Sequence, residues 1–165
     1  VKSLSNISVS FTFNLETKSN ETFLNGKNVE KDIRTLEVSN KVSYVSAIGS
    51  VRKQLVEWQR DMGSKQSVVM DGRDIGTVDF PNADIKIFMT ASDEVRAKRR
   101  YDELTSKGEN VTMDEVLNNI KERDYIDSTR TESPLRKAED AILLDNSKMS
   151  IEDQFDWIIK KMRSK

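Results

Sequence analysis

The chain has 165 residues, 36% of them apolar and a third charged, with 27 lysines and arginines against 28 aspartates and glutamates. It has neither cysteine nor histidine, which excludes thiol nucleophiles, disulfides, Cys/His zinc sites and histidine bases. A net charge of -1 gives no global field for nucleic acid or a membrane surface, so neither is an expected partner and any anion site must be a local arginine cluster. No apolar run approaches the ~18 residues of a spanning helix, and a cytoplasmic protein is the expectation.

In chain order, Ile7, Val9, Phe11, Phe13 and Leu15 alternate with polar residues, the period of a strand with one buried face. After a polar turn, "TFLNGKNV" reads as two short strands joined by a type I′ Asn25-Gly26 turn. Residues 6–30 are thus expected to form a three-stranded antiparallel meander. From Val38 to Met62 apolar residues recur every three or four positions, a helical stripe with a break predicted at Gly49 and an end at Gly63-Ser64. Ser43 and Arg52 are nine residues apart, on opposite faces of a straight helix. If both touch one ligand, the helix must break between them.

"SVVMDG" and "DIKIFMT" read as short buried strands. A helix capped by Ser92 or Asp93 should run to about Lys107 and stop at Gly108. Thr112 and Glu115 form a capping box for the next helix. "DAILLDN" reads as a third buried strand, and a Ser150-capped amphipathic helix follows. Trp58 and Trp157 sit on apolar helical stripes and are read as core. Lys160, Lys161, Arg163 and Lys165 are read as a solvated basic helix end. Strands alternating with helices imply parallel βα units.

The tip "MDGRD" places Asp71, Arg73 and Asp74 beyond the carboxyl end of a predicted strand, where open α/β sheets bind ligands. Alone, it is most simply a solvated turn. Arg96, Arg99 and Arg100 share one face of the following helix, Arg123 and Asp127 are i, i+4 on the next, and Arg130 lies nearly one turn further. Singly these read as surface ion pairs. As a set, two arginine-lined helices beside a G-R-D loop fit a bound polyanion, since arginine makes fork-like phosphate contacts.

"VVMDGRDIGTVDFPNADIKIFMTAS", "EVRAKRR", "NIKERDYIDSTR", "SPLRKAEDAILLDNS" and, upstream, "EKDIRTLEVSNKVSYVSAI" together resemble bacterial cytidylate kinase, over nearly the whole chain. The resemblance implies a P-loop NTPase-like α/β fold: a parallel sheet core flanked by helices, with a small three-stranded antiparallel substrate-binding insert. Residues 1–48 would be the insert, 49–165 the kinase core, and about 105–133 a mobile lid. It implies transfer of the γ-phosphoryl of ATP, with Mg²⁺, to CMP or dCMP. By resemblance Ser43, Arg52, Asp71 and Asp74 frame the nucleoside and Asp127 joins them. Arg73, Arg123 and Arg130 are the phosphate-directed catalytic arginines, and Arg96, Arg99 and Arg100 lie on the ATP or lid side. No side-chain metal site is expected. Such chemistry needs no histidine, because the acceptor is already a largely ionised phosphate oxygen.

A P-loop kinase needs G-x-x-x-x-G-K-[ST], and no stretch of this sequence matches; "LNGKNV" and "MGSKQS" both fail. With Val1 as first residue, the simplest expectation is a cytidylate kinase lacking its N-terminal segment, inactive alone and prone to self-association through an incomplete core. The alternative is a CMP-binding module or pseudoenzyme without turnover. A third is a structural domain whose charges are ordinary surface.

Overall fold

The computed structural model describes residues 6–164; the first five residues of the expected insert, and Lys165 of the basic end, lie outside them. The meander forms as the alternation predicts. β1 (Val9–Asn14), β2 (Ser19–Leu24) and β3 (Lys27–Asn28) make an antiparallel sheet in the order β1-β2-β3. Asn25 and Gly26 both adopt positive φ, 50° and 80°, the geometry a type I′ turn requires. Asn14 Oδ1 accepts from the Glu16 and Thr17 amides at 2.9 and 3.1 Å, which closes the first turn with a side chain in place of backbone.

The expected burial of β1 does not hold. Phe11, Phe13 and Leu15 are 58, 55 and 82% exposed. The pleat puts Phe11 and Phe13 on one face, with Leu15 in the turn that follows, and among the described residues no element covers them. Only Val9 and Phe11 gain a neighbourhood, at the rim of the cavity described below.

The helical stripe breaks where expected. α1 (Leu36–Ser46) ends one turn before α2 (Gly49–Gly63) begins. α3 (Asp93–Ser106) is capped by Ser92, whose side chain accepts from the Val95 amide, and Gly108 follows it with φ +83°. α4 (Met113–Thr129) carries the Thr112/Glu115 capping box. α5 (Ile151–Arg163) carries a second box, Ser150 with Asp153.

β4 (Ile87–Thr90) pairs in parallel with β5 (Ile142–Asp145), Ile87 opposite Ile142. The predicted strand at "SVVMDG" is not one: residues 67–70 make no ladder, and Val69 is 98% exposed. A strand exists by pairing, and among the described residues β4 and β5 pair only with each other. β5 is also less buried than its sequence suggests, with Leu144 alone inside. The expected parallel core is therefore a two-stranded sheet here.

The apolar nucleus lies between α3 and α4: Ala97, Leu104 and Val116 are essentially inaccessible, with Leu36, Tyr101 and Ile120 packed around them. α5 buries no residue; Trp157 is half-exposed, with Lys161 Nζ 5.4 Å from its ring centroid. No helix of the described residues is long and apolar enough to cross a membrane.

Candidate functional site

A cavity of about 350 Å³ opens where β1, α1, α2, the loop after Met70 and α4 meet. The helix break builds it. Because the chain turns at Ala47 and Ile48, Ser43 of α1 and Arg52 of α2 both line one space. Arg52 Nη1 also reaches the Ser46 carbonyl at 3.4 Å, occupying an acceptor freed at the end of α1.

The charged wall is a chain of pairs. Arg52 Nη2 donates to Asp74 Oδ2 at 2.6 Å. Arg130, the C-cap of α4, donates Nη1 to Asp127 Oδ1 at 2.9 Å and Nε to the Ser133 carbonyl at 2.9 Å. Its Nη2 stands 3.6 Å from Asp74 Oδ1. Arg73 Nε lies 3.3 Å from Asp127 Oδ2, and its Nη1 is bonded to Asp124. Arg123 Nη1 donates to Ser39 Oγ at 2.9 Å. Asp74, Asp127, Arg52 and Arg130 are all less than a tenth exposed.

The lining holds four arginines, at positions 52, 73, 123 and 130, against two aspartates, 74 and 127. Arg52, Arg130 and Arg73 each have a carboxylate partner, in Asp74, Asp127 and Asp124, which leaves Arg123 as the lining arginine without an ion pair among the described residues. Three buried guanidinium nitrogens of lining residues, Arg52 Nε, Arg123 Nε and Arg130 Nη2, have no hydrogen-bond partner. Burial, and the charge of Arg73, pull the Arg123 guanidinium below its ordinary pKa; burial and Arg52 do the same to Arg130. Mutual repulsion and orphaned donors mark a site arranged for an anion.

Seven sequence-predicted residues meet here: Ser43, Arg52, Arg73, Asp74, Arg123, Asp127 and Arg130. Asp71 is exposed and outside the lining. The three α3 arginines share a face but not a destination. Arg96 bonds Asp93 and Asp124, Arg99 holds Asn146, and Arg100 reaches Glu103 and the Arg34 carbonyl. Their long stems carry the charges to three different elements.

Sequence reasoning missed Asp124. Burial acts to raise its pKa, but hydrogen bonds from Arg73 and Arg96 hold it below the ordinary carboxylate value. It bridges α3 and the G-R-D loop through Arg96 and Arg73. The i, i+1 neighbours Arg123-Asp124 on a helix were the available signal. Also missed were Ser39, which accepts from Arg123 and bonds Asn119 at 3.1 Å, and Trp58, which lines the cavity and is no core residue.

The family model described as cytidylate kinase matches residues 1–164. The chain belongs to the cytidylate kinase family. Its members are nucleoside monophosphate kinases, a class of phosphotransferase. The cytidylate kinase of Parabacteroides distasonis is 57% identical over 159 residues, covering 96% of this chain and 69% of that protein. That of Flavobacterium psychrophilum is 56% identical over 159 residues, covering 96 and 70%. That of Porphyromonas gingivalis is 53% identical over 161 residues, covering 97 and 70%. Cytidylate kinases generally use ATP with a divalent metal. Among the described residues no three acidic side chains gather as metal ligands, and Asp74, Asp124 and Asp127 are each paired with arginine. These side chains do not fit a resident cation.

Proposed function

We propose that the cavity is the acceptor site of a cytidylate kinase, taking CMP or dCMP for phosphorylation by ATP to the diphosphate. The observation that carries this reading is the convergence of four arginines on one cavity, with Arg123 lacking a carboxylate partner among the described residues and three guanidinium nitrogens lacking a hydrogen bond. A phosphate gives Arg123 the anionic partner it lacks and takes fork-like contacts from the neighbouring guanidinium groups.

In this reading Asp74 accepts from the exocyclic amine of cytosine, which uracil lacks. Arg52 holds that carboxylate and Ser43 lies beside it. Arg73, Arg123 and Arg130 hold the phosphate and neutralise charge developing on the transferred group. Asp127 orients Arg130 and Arg73 and faces the sugar. Asp124, tied to Arg96, positions Arg73. The meander and α1, within residues 1–48, form the insert over the nucleoside, and about 105–133 act as the lid that excludes water. Arg99 and Arg100 brace α3 beside that lid, on the ATP side. A cytoplasmic location, and association between copies through the exposed apolar faces, go with the same reading.

These 165 residues contain no G-x-x-x-x-G-K-[ST], so binding and turnover are tested separately. Calorimetric titration with CMP should give saturable binding that Arg130→Ala and Asp74→Ala abolish. A folded chain that ignores CMP would overturn the reading. A coupled assay of ADP formation with CMP, ATP and Mg²⁺ then separates the kinase from the alternative, a CMP-binding module without turnover.

A further inference from the structure

Gln59, which lines the cavity, takes a partner from outside it. Gln59 lies two helical turns beyond Arg52 on the same face of α2. Turned so that both contacts run from donor to acceptor, its amide nitrogen meets Asp79 Oδ1 at 2.7 Å and the Leu55 carbonyl at 3.3 Å. Asp79 is 3% exposed. It ends the π-type turn Ile75–Asp79 that follows Asp74.

The segment carrying Asp79 is pinned to α2. Arg60 donates Nε to the Asp79 carbonyl at 3.1 Å and Nη2 to the Val78 carbonyl at 2.6 Å. The Phe80 ring lies against Gly63, where any Cβ would collide with it. These contacts dock the loop without help from the Asp79 carboxyl. The carboxyl is meanwhile unfavourable where it stands: burial, and the charge of Asp74, push its pKa up to about 6. Arg52 and Arg60 of α2 act the other way, while Lys86, beyond the loop, is bonded to the Pro81 carbonyl and Asp140. A buried carboxylate that is not needed for docking has the Gln59 amide as its partner.

We propose that Gln59 is a base-reading residue and that Asp79 is its positioning residue, fixing the amide so that its oxygen is offered to the nucleotide base. This rests on reading the cavity as a pyrimidine nucleotide site. An amide is nearly symmetric in shape and opposite in polarity at its two ends. An ionised carboxylate only accepts, so it captures the nitrogen and leaves the oxygen for the ligand. The exocyclic amine of cytosine carries two hydrogens. Asp74 and the Gln59 oxygen provide an acceptor for each. Uracil presents a carbonyl there, and both acceptors repel it.

The test is titration of the full chain with CMP and with UMP, well above the Asp79 pKa of about 6, for the unaltered protein, Gln59→Met, Asp79→Asn and the double variant. Each single change should lower the CMP-to-UMP affinity ratio about three- to tenfold. The double should fall no further than the larger single, because the two side chains act as one unit. The ratio cancels the phosphate, whose own titration near the same pH affects both ligands equally. In the unaltered protein the ratio should drop as pH falls below the Asp79 pKa, where a neutral carboxyl can donate to the amide oxygen; in Asp79→Asn it should not follow pH. Equal weakening of both nucleotides, additive single effects, or an unchanged ratio overturns the inference while leaving CMP binding intact. No CMP binding by the unaltered chain overturns the cavity reading and this inference with it. If Asp79→Asn fails to fold, Gln59→Met and the pH profile of the unaltered chain decide between the same outcomes.

Discussion

The interior of this protein is of two kinds, side by side on α4. Toward α3, Val116 joins Leu104 and Ala97 in a dry apolar nucleus. Toward α1 and α2, the same helix buries Asn119, Asp127 and, at its cap, Arg130. The first region follows from the hydrophobic effect alone, and any set of side chains of the right volume would serve. The second does not. Burying charges costs several kcal/mol each in order of magnitude, and pairing only roughly offsets that. Among the described residues more polar than apolar side chains are buried, and of these Ser43, Arg52, Asp74, Asp127 and Arg130 line the cavity. One helix can do both because its faces diverge by about 100° per residue.

The comparison can be broken from either side. Asp127→Ala strands the buried Arg130 guanidinium and should cost about 3–5 kcal/mol, read by urea denaturation, and abolish CMP binding as well. Replacing both partners, Asp127→Leu with Arg130→Met, should restore much of the stability and none of the binding. Leu104→Ala, in the apolar nucleus, should cost about 2–5 kcal/mol yet leave CMP affinity unchanged under conditions where the chain remains folded. Loss of affinity there would mean that the two regions are coupled through α4.

Asp79 gives a sharper contrast. Its folded pKa is raised to about 6 from an ordinary 3.8. The folded state therefore holds its proton longer than the unfolded chain, and this group's contribution to stability falls as pH rises between those values. Above about 6 the loss is complete. Asp79→Asn should flatten that slope and raise stability at neutral pH by on the order of 2 kcal/mol, measured by denaturation at both ends of the window. Together with reduced discrimination between CMP and UMP, that gain would mark a residue kept for function at the expense of stability. The smallest effect is expected at Lys98–Asp102, an exposed i, i+4 pair at 2.5 Å with side chains 63 and 55% exposed. Lys98→Ala should change neither denaturation midpoint nor CMP binding measurably, since solvent screens such pairs.

Much of this was legible in the residues. Period-two alternation located β1, Asn25-Gly26 located the hairpin, and Thr112 and Ser150 marked helix starts. Gly49 fell at the break that lets Ser43 and Arg52 share a cavity. Such signals are decided within a few residues, by φ preference, capping and side-chain spacing. The reading failed where periodicity was taken for burial. Phe11, Phe13, Val69 and Phe155 lie on well-formed apolar patterns and are nevertheless exposed, because a stripe is buried only if another element covers it.

The sequence by itself determined where helices begin, which turn closes the meander, that no histidine or thiol chemistry is available, and which arginines and aspartates could serve an anion. Tertiary structure alone decided which of those charges converge. Arg73 meets Asp124 across 51 residues and Arg123 meets Ser39 across 84, while Arg99 and Arg100, on the same helical face as Arg96, are carried elsewhere. It also paired Gln59 with Asp79, which no spacing rule suggests. Local rules fix the direction of a side chain relative to its own helix or strand; the partner it meets depends on how separate elements pack, and that is set by the whole chain at once.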